Sequence, residues 1–172
     1  MKTFSFVTAF KRQCCATIIS MNKYINAQIR SFLEEEDMIA ALANVSAVIM
    51  QNYDRLNWAG FYFVKNSELI LGPFQGKVAC VHIPFDKGVC GKCCRDAAVQ
   101  RIDDVLAFPG HIACDADSRS ELCVPVIVDG SVVAEIDLDS PEKERFTIDE
   151  ETEMVQAAAD IAAAWKKYQW PN

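Results

Sequence analysis

Apolar residues recur at helical spacing in two parts of the chain. One such run is formed by Met38, Ala41, Leu42, Val45, Val48 and Ile49. This run predicts a helix, and a further helix is predicted before it, near residues 20–35. In the C-terminal part, Thr147 and Glu150 match a capping box, which predicts that a helix begins at Thr147. An apolar stripe containing Ile161 and Trp165 supports that helix.

Between these helices the pattern is typical of strands. Three strands are predicted there, at Leu56–Val64, Leu69–Leu71 and Cys80–Phe85. The second is expected to end at Gly72 and Pro73, because this pair usually interrupts a strand. A short helix is predicted over residues 89–98, and a long loop over residues 104–119.

A hairpin is predicted between residues 121 and 139, around the Asp-Gly pair at 129–130. Two loop lengths are compatible with this pair. A two-residue loop places Val128 opposite Ser131, whereas a three-residue loop places Ile127 opposite Ser131. The three-residue loop makes one face of the hairpin wholly apolar, and register follows the buried face. It is therefore the predicted loop.

The other face of this hairpin gathers acidic residues. In the predicted register Glu121 lies opposite Asp137, and Asp139 follows two residues further along the same side. Opposed like charges destabilise a sheet unless an acid is protonated or a cation lies between them. A substrate ammonium, a metal ion or a basic side chain would serve. A solvated outer face remains the alternative, because acids are easily accommodated there.

The order of elements predicts one α+β domain, an antiparallel β-sheet flanked by helices from both chain ends. The composition agrees, since 51% of the 172 residues are hydrophobic, too many for disorder, and the chain is too short for two ordinary domains. A net charge of −7 disfavours nucleic acid as a partner. No apolar run is long enough to span a bilayer, so no membrane partner is expected.

The N-terminal region is basic. Residues 1–33 hold five basic residues and no acid, a feature shared with mitochondrial transit peptides. A plain N-terminal extension over residues 1–20, with no role assigned, is preferred to a targeting segment. The expected location is therefore cytoplasmic.

Eight cysteines are a high count for a chain of this length. Cys90 and Cys93 form a C-x-x-C pair, but a structural zinc site normally has a second pair, and Cys114 and Cys123 are too widely spaced to supply one. A thioredoxin-like site would need a parallel βαβ unit, which the predicted elements do not provide. No metal site is therefore predicted. Cys123, with apolar neighbours in a strand, is expected to pack as a small hydrophobic residue.

Cys114 differs because it lies in the predicted loop, close to Pro109 and Gly110. Loops carry a disproportionate share of functional groups. His111 and Arg119 are near in sequence, and either could stabilise a thiolate at Cys114. Cys114 is therefore the cysteine whose position in the sequence most favours a functional role.

Six segments resemble those of a known family: NWAGFYF (57–63), LGPFQGKVAC (71–80), GVCG (88–91), FPGHIACD (108–115), SELCVPV (120–126) and DLDSP (137–141). In this order they resemble the free methionine-(R)-sulfoxide reductases, enzymes built on a GAF domain. The resemblance covers about residues 21–166. It implies a GAF-type catalytic domain over residues 21–168 that reduces free L-methionine (R)-S-oxide to methionine.

The resemblance also implies roles for particular residues. Cys114 would be the nucleophile, Cys80 the resolving thiol and Cys90 a further thiol for disulfide exchange. Trp58 and Tyr62 would form walls for the methylsulfinyl end of the substrate. The remaining site residues are the three acids of the hairpin, Glu121, Asp137 and Asp139. Glu121 or Asp139 is the expected proton donor to the sulfoxide oxygen, and Asp137 or its neighbour would hold the substrate ammonium.

The implied partners are the free sulfoxide and thioredoxin or a similar dithiol, itself reduced by NADPH through thioredoxin reductase. No bound cofactor is expected, and the fold is compatible with a homodimer. One departure is that Lys92, Cys93 and Cys94 follow GVCG, where small residues are usual. These two thiols are either alternative disulfide partners or packing residues. The alternative function is a non-catalytic GAF sensor of small molecules, for which three motif cysteines would be unnecessary.

Overall fold

A computed structural model of the chain describes residues 24–110, 112 and 114–171. The predicted extension over residues 1–20 and His111 lie outside the described residues. In chain order the elements are α1 (24–32), α2 (Met38–Asn52), β1 (Trp58–Lys65), β2 (Glu68–Gly76), β3 (His82–Pro84), α3 (Gly88–Asp96), β4 (Gln100–Ile102), β5 (Ser120–Val128), β6 (Ser131–Ser140) and α4 (Ile148–Tyr168). A short 3₁₀ turn, Val105–Ala107, lies between β4 and β5.

The six strands form one sheet in the order β3-β2-β1-β6-β5-β4, and every neighbouring pair is antiparallel. Helices from both ends of the described chain pack on it, so the predicted α+β architecture is confirmed. β4 was not predicted, because three residues are too few to show a strand pattern.

The two faces of the sheet have different coverings. Because successive side chains of a strand point to opposite faces, alternate residues of β1 divide between them. Phe61 packs with α1, α2 and α4 in the larger apolar core, on what we call the helix face. Trp58 and Tyr62 lie on the other side, which we call the reaction face, and pack with residues of α3. The reaction face carries the candidate chemistry.

The helix ends follow the sequence signals. Thr147 and Glu150 form the predicted capping box of α4, and the side chain of Asp37 caps α2 by accepting from the backbone N–H of Ala40. Acidic residues occupy the first turn of α4, and Lys166 and Lys167 occupy its last turn. Both sets of charges stabilise the helix by interacting favourably with its dipole.

The Gly-Pro pair at 72–73 does not end β2, contrary to prediction. The strand continues to Gly76 because a bulge absorbs the pair: Gly60 pairs with Phe74, whereas Tyr62 pairs with Leu71. Proline has no N–H for the ladder and is tolerated at bulges.

The predicted three-residue hairpin loop is wrong. Val128 pairs with Ser131 across a two-residue turn in which Asp129 and Gly130 both have positive φ, 50° and 82°. A register shift next to Val126 then moves the ladder by one residue. Beyond this shift, apolar residues again lie opposite apolar residues, as in the predicted register. The residues predicted to share a face therefore do share it.

None of the helices in the described ranges combines the length and apolarity needed to cross a bilayer.

Candidate active site

Three acids of the hairpin meet on the reaction face. Glu121 of β5 pairs with Asp139 of β6, and Cys123 pairs with Asp137. The predicted pairing of Glu121 with Asp137 is therefore corrected by the register shift. Glu121 and Asp137 are buried and Asp139 is half-buried, so the alternative of a solvated outer face is wrong.

Burial keeps protons on these acids. Desolvation, reinforced by the charge of Asp139, raises the pKa of Glu121 to about 8, although hydrogen bonds from Cys123 and Cys90 oppose the rise. Desolvation also raises the pKa of Asp137 and of Asp139; Glu121 adds to the first effect and Asp137 to the second. The described residues place no lysine or arginine in an ion pair with them. The cluster can therefore donate a proton at neutral pH.

Two buried thiols contact this acid cluster. The Sγ of Cys90, on α3, lies 3.3 Å from Glu121 Oε1 and 3.8 Å from Asp137 Oδ2. The Sγ of Cys123 lies 3.1 Å from Glu121 Oε1 and 3.6 Å from Asp137 Oδ1. Cys123 is buried as expected, but its contact with Glu121 was not predicted, because the partner depends on the fold.

Neither thiol is activated in this state. A hydrogen bond with Cys123 lowers the pKa of Cys90, but burial and the neighbouring carboxyls outweigh it and leave that pKa well above the ordinary value. Burial likewise raises the pKa of Cys123. A thiol reacts as its thiolate, so Cys90 is not the thiol prepared for nucleophilic attack. The ligand atoms of Cys90, Glu121, Cys123 and Asp137 all lie within 4.8 Å of one another.

Cys80 and Cys114 form a disulfide beside this cluster. They are 34 residues apart in sequence, and their Cα atoms are 5.4 Å apart. Cys80 lies between β2 and β3, and Cys114 lies in the loop before β5. Both pack against the apolar residues of the reaction face. The structure therefore joins the two cysteines that the resemblance pairs, while Cys90 is a free thiol.

Polar contacts hold the Cys114 loop in place. Asn57 Nδ2 donates to Asp115 and to the hydroxyl of Ser118, each at 3.0 Å. Lys77, from the loop that carries Cys80, forms ion pairs with Asp115 and Asp117. Sequence reasoning missed Asn57 and Ser118, although Asn57 opens the NWAGFYF motif.

Arg119 is near Cys114 in sequence but does not point to its sulfur through a hydrogen bond in the described structure. Its guanidinium instead donates to the backbone carbonyls of Ala116 and Ser118, at 2.8 and 2.7 Å. It therefore stabilises the loop backbone in this state.

Stacked aromatic side chains form a wall of the site on the reaction face. The indole of Trp58 stacks on Tyr62 and Phe74, with ring centroids 5.8 and 5.2 Å apart. Gly60 makes room for this stack, because a Cβ there would lie 2.6 Å from the indole and 2.4 Å from Phe74 Cβ. The Tyr62 hydroxyl donates to the carbonyl of Cys80 at 3.0 Å. Among the described residues, the buried Trp58 Nε1 has no acceptor.

Comparisons with known proteins identify the family of this domain. The GAF domain family matches residues 33–165. A relative from Bacillus subtilis, protein YtsP, is 49% identical over 140 residues, 80% of this chain and 86% of its own. The free methionine-R-sulfoxide reductase of Escherichia coli is 43% identical over 141 residues, 82% of this chain and 84% of its own.

A solved structure extends the comparison to the fold. The X-ray structure of free methionine-R-sulfoxide reductase from Neisseria meningitidis, in complex with its substrate, superposes with a TM-score of 0.83 at 35% identity. The match covers 86% of this chain and 90% of that chain. This chain belongs to the free methionine-(R)-sulfoxide reductase family. The family resemblance drawn from the six sequence segments is therefore confirmed.

The buried acids predict how stability depends on pH. Glu121 keeps its proton up to about pH 8 in the folded protein, but an unfolded chain releases it near pH 4.5. Unfolding between these values therefore releases a proton, and the free energy of unfolding falls as pH rises, by up to about 1.4 kcal/mol per pH unit for one such group.

Urea unfolding across this pH interval measures the slope. Glu121→Gln should make it less steep, because glutamine has no proton to lose, whereas the buried Asp137 and Asp139 still contribute. A free energy of unfolding that increases over the interval would contradict the protonated cluster.

Proposed function

We propose that this chain reduces free L-methionine (R)-S-oxide to methionine, with Cys114 as the nucleophile. The observation that carries the proposal is the Cys80–Cys114 pair, which lies beside both an aromatic wall and a cluster of buried, protonatable acids. The relatives from Escherichia coli and Neisseria meningitidis are named for this activity. A sensor that only bound its ligand would not need the cysteine pair.

In the first step, the thiolate of reduced Cys114 attacks the sulfur of the sulfoxide. The sulfur–oxygen bond of the substrate breaks, the oxygen is transferred to Cys114 with a proton, and methionine leaves. Cys114 becomes a sulfenic acid: its sulfur loses two electrons, and the sulfur of the substrate gains them. Glu121 supplies the proton, because burial keeps it protonated near neutral pH. Asp139, its partner across the strands, is the second candidate donor.

In the second step, the Cys80 thiol condenses with the sulfenic acid. A sulfur–sulfur bond forms and water leaves. The resulting disulfide is the state described by the structure. We propose that thioredoxin or a similar dithiol then reduces it by exchange, with electrons from NADPH through thioredoxin reductase. Cys90 is a further thiol for this exchange. This cycle fits the cytoplasm, where such reductants keep thiols reduced.

Selectivity for the free amino acid follows from the acids. A positive charge close to a carboxyl favours its ionised form, so the ammonium of free methionine sulfoxide can bind at Asp137 and displace its proton. Asp137 lacks a basic partner within the described chain. A methionine sulfoxide within a peptide has no such ammonium. The stacked Trp58 and Tyr62 provide an apolar wall for the methyl end, and the unpartnered Trp58 Nε1 is available to a substrate oxygen.

A coupled assay tests the proposed function. NADPH oxidation is followed with thioredoxin and its reductase, using the free R epimer, the free S epimer and a peptide-bound sulfoxide in turn. We expect oxidation with the free R epimer alone. Equal rates with the peptide would contradict the ammonium site. No methionine formed from any substrate, even with a small dithiol as reductant, would contradict the reductase function.

A further inference from the structure

A second group of buried polar side chains lies on the reaction face, outside the roles assigned above. It consists of Cys93 and Cys94 on α3 and Glu135 on β6, and we call it the α3–β6 cluster. One ligand atom from each, the two Sγ atoms and a carboxylate oxygen, lies within 4.8 Å of the others. All three residues are buried, Cys93 and Glu135 completely.

Glu135 is poorly satisfied in this position. The Sγ of Cys94 lies 3.6 Å from its Oε2, and the thiols of Cys93 and Cys90 also lie close to its carboxyl. Its buried Oε1 nevertheless accepts no hydrogen bond within the described residues. Cys93 and Cys94 pack in one apolar group with Leu69, Ile83 and Val89. Burying a carboxyl group that lacks a partner costs free energy, and apolar side chains would fill the space at lower cost. The unpartnered oxygen therefore points to a ligand.

We propose that Cys93, Cys94 and Glu135 bind a zinc ion in the reduced protein. Two thiolates and a carboxylate are ligands that Zn²⁺ accepts in proteins. Zn–S and Zn–O bonds of about 2.3 and 2.0 Å place tetrahedral donor atoms about 3.5–3.8 Å apart. Donor atoms within 4.8 Å of one another reach this spacing through small side-chain movements.

The other thiol-rich group on this face is a weaker candidate. It contains Cys90, Glu121, Cys123 and Asp137, whose ligand atoms also lie within 4.8 Å of one another. Glu121 Oε1, however, is already close to two thiols, at 3.3 and 3.1 Å. The proposed reaction also uses this group for the substrate. Of these two groups, the α3–β6 cluster is the one with a buried carboxylate oxygen that has no partner in the part of the chain that the structure describes, so it is the preferred zinc site.

Zinc binding at this cluster releases protons. Both thiols and the carboxyl must lose their protons to act as ligands, and the two positive charges of zinc largely compensate for the three negative charges formed. Zinc affinity should therefore increase with pH. The bound ion would also join α3 to β6 and fix the helix that carries Cys90 beside the acid cluster.

Metal binding by the full chain tests this proposal. The reduced protein is titrated with Zn²⁺ against a chromophoric chelator, and Co²⁺ is used separately for its thiolate charge-transfer absorption. We expect about one ion per chain and cobalt absorption typical of thiolate ligands. Cys94→Ala and Glu135→Gln should each weaken binding by more than about tenfold. Circular dichroism identifies any variant that does not fold.

Cys123→Ala is the matched control, because Cys123 is a buried thiol on the same face that lies outside the α3–β6 cluster. It should bind zinc as the parent chain does. Loss of binding in Cys123→Ala with retention in a folded Cys94→Ala or Glu135→Gln would overturn the assignment and place the ion in the acid cluster. A reduced parent chain without stoichiometric binding would overturn the proposal as well. Neither result depends on reductase activity.

Discussion

Cys114→Ser is expected to abolish turnover of free methionine (R)-sulfoxide, lowering kcat by at least about a thousandfold. A serine hydroxyl is not ionised at neutral pH and is a much weaker nucleophile than a thiolate. Cys80→Ser is expected to behave differently. Its Cys114 can still attack the substrate, so each chain should release about one methionine before it stalls as a sulfenic acid.

The two variants are distinguished by counting methionine released per chain with thioredoxin present. A sulfenic-acid probe should label Cys80→Ser after substrate addition and should not label Cys114→Ser. Cys93→Ser is the control, because Cys93 is a buried free thiol outside both the acid cluster and the Cys80–Cys114 pair; it should turn over repeatedly. Repeated turnover by Cys114→Ser would show that another group is the nucleophile.

Glu121→Gln is expected to lower kcat by about a hundredfold to ten-thousandfold, the usual contribution of a general acid. Glutamine has nearly the same size and can still form hydrogen bonds, but it has no acidic proton for the sulfoxide oxygen. The pKa of Glu121, raised by burial to about 8, also sets the pH profile. The parent enzyme should lose activity as pH rises through this value, and Glu121→Gln should lose that dependence.

Glu153→Gln is the matched control for Glu121→Gln. Glu153 is also a buried glutamate whose pKa is raised by burial, but it lies on the helix face, hydrogen-bonded to Tyr53. Its replacement should leave kcat and the pH profile unchanged. Thermal unfolding and circular dichroism show that each variant is folded. An unchanged kcat in Glu121→Gln would assign proton donation to another acid, with Asp139 the next to be tested.

The sequence predicted the grouping of the acids although it gave the wrong hairpin loop. A two-residue turn with a bulge and a three-residue turn without one place the same residues on the same face. The alternation of Leu122 and Val124 with Glu121 and Cys123 therefore carried the information. The direct partners across the hairpin changed, that of Glu121 from Asp137 to Asp139, because they depend on a turn and a bulge that local pattern cannot show.

Other features could not be predicted because they depend on distant parts of the chain. Pro73 looked like the end of a strand, and only the position of Phe61 on the neighbouring strand shows that a bulge accommodates it. The contact of Cys94 with Glu135 joins residues 41 positions apart. The pairing of Cys80 with Cys114 was available from the family resemblance and not from cysteine spacing, which leaves several pairings open.

Because the sheet has two different faces, substitutions that alter the chemistry of the site fall on other residues than those that hold the fold together. In β6, Ile136 and Leu138 contribute to the apolar core, whereas Glu135, Asp137 and Asp139 point to the reaction face. Substitutions at the second set can alter what the domain binds while the first set preserves the scaffold. Deleting one residue within the strand would turn the side chains beyond it to the opposite faces, so both the apolar core and the site would be damaged. Such a strand can acquire new ligands by point mutation, which is a route by which one scaffold could serve both sensors and enzymes.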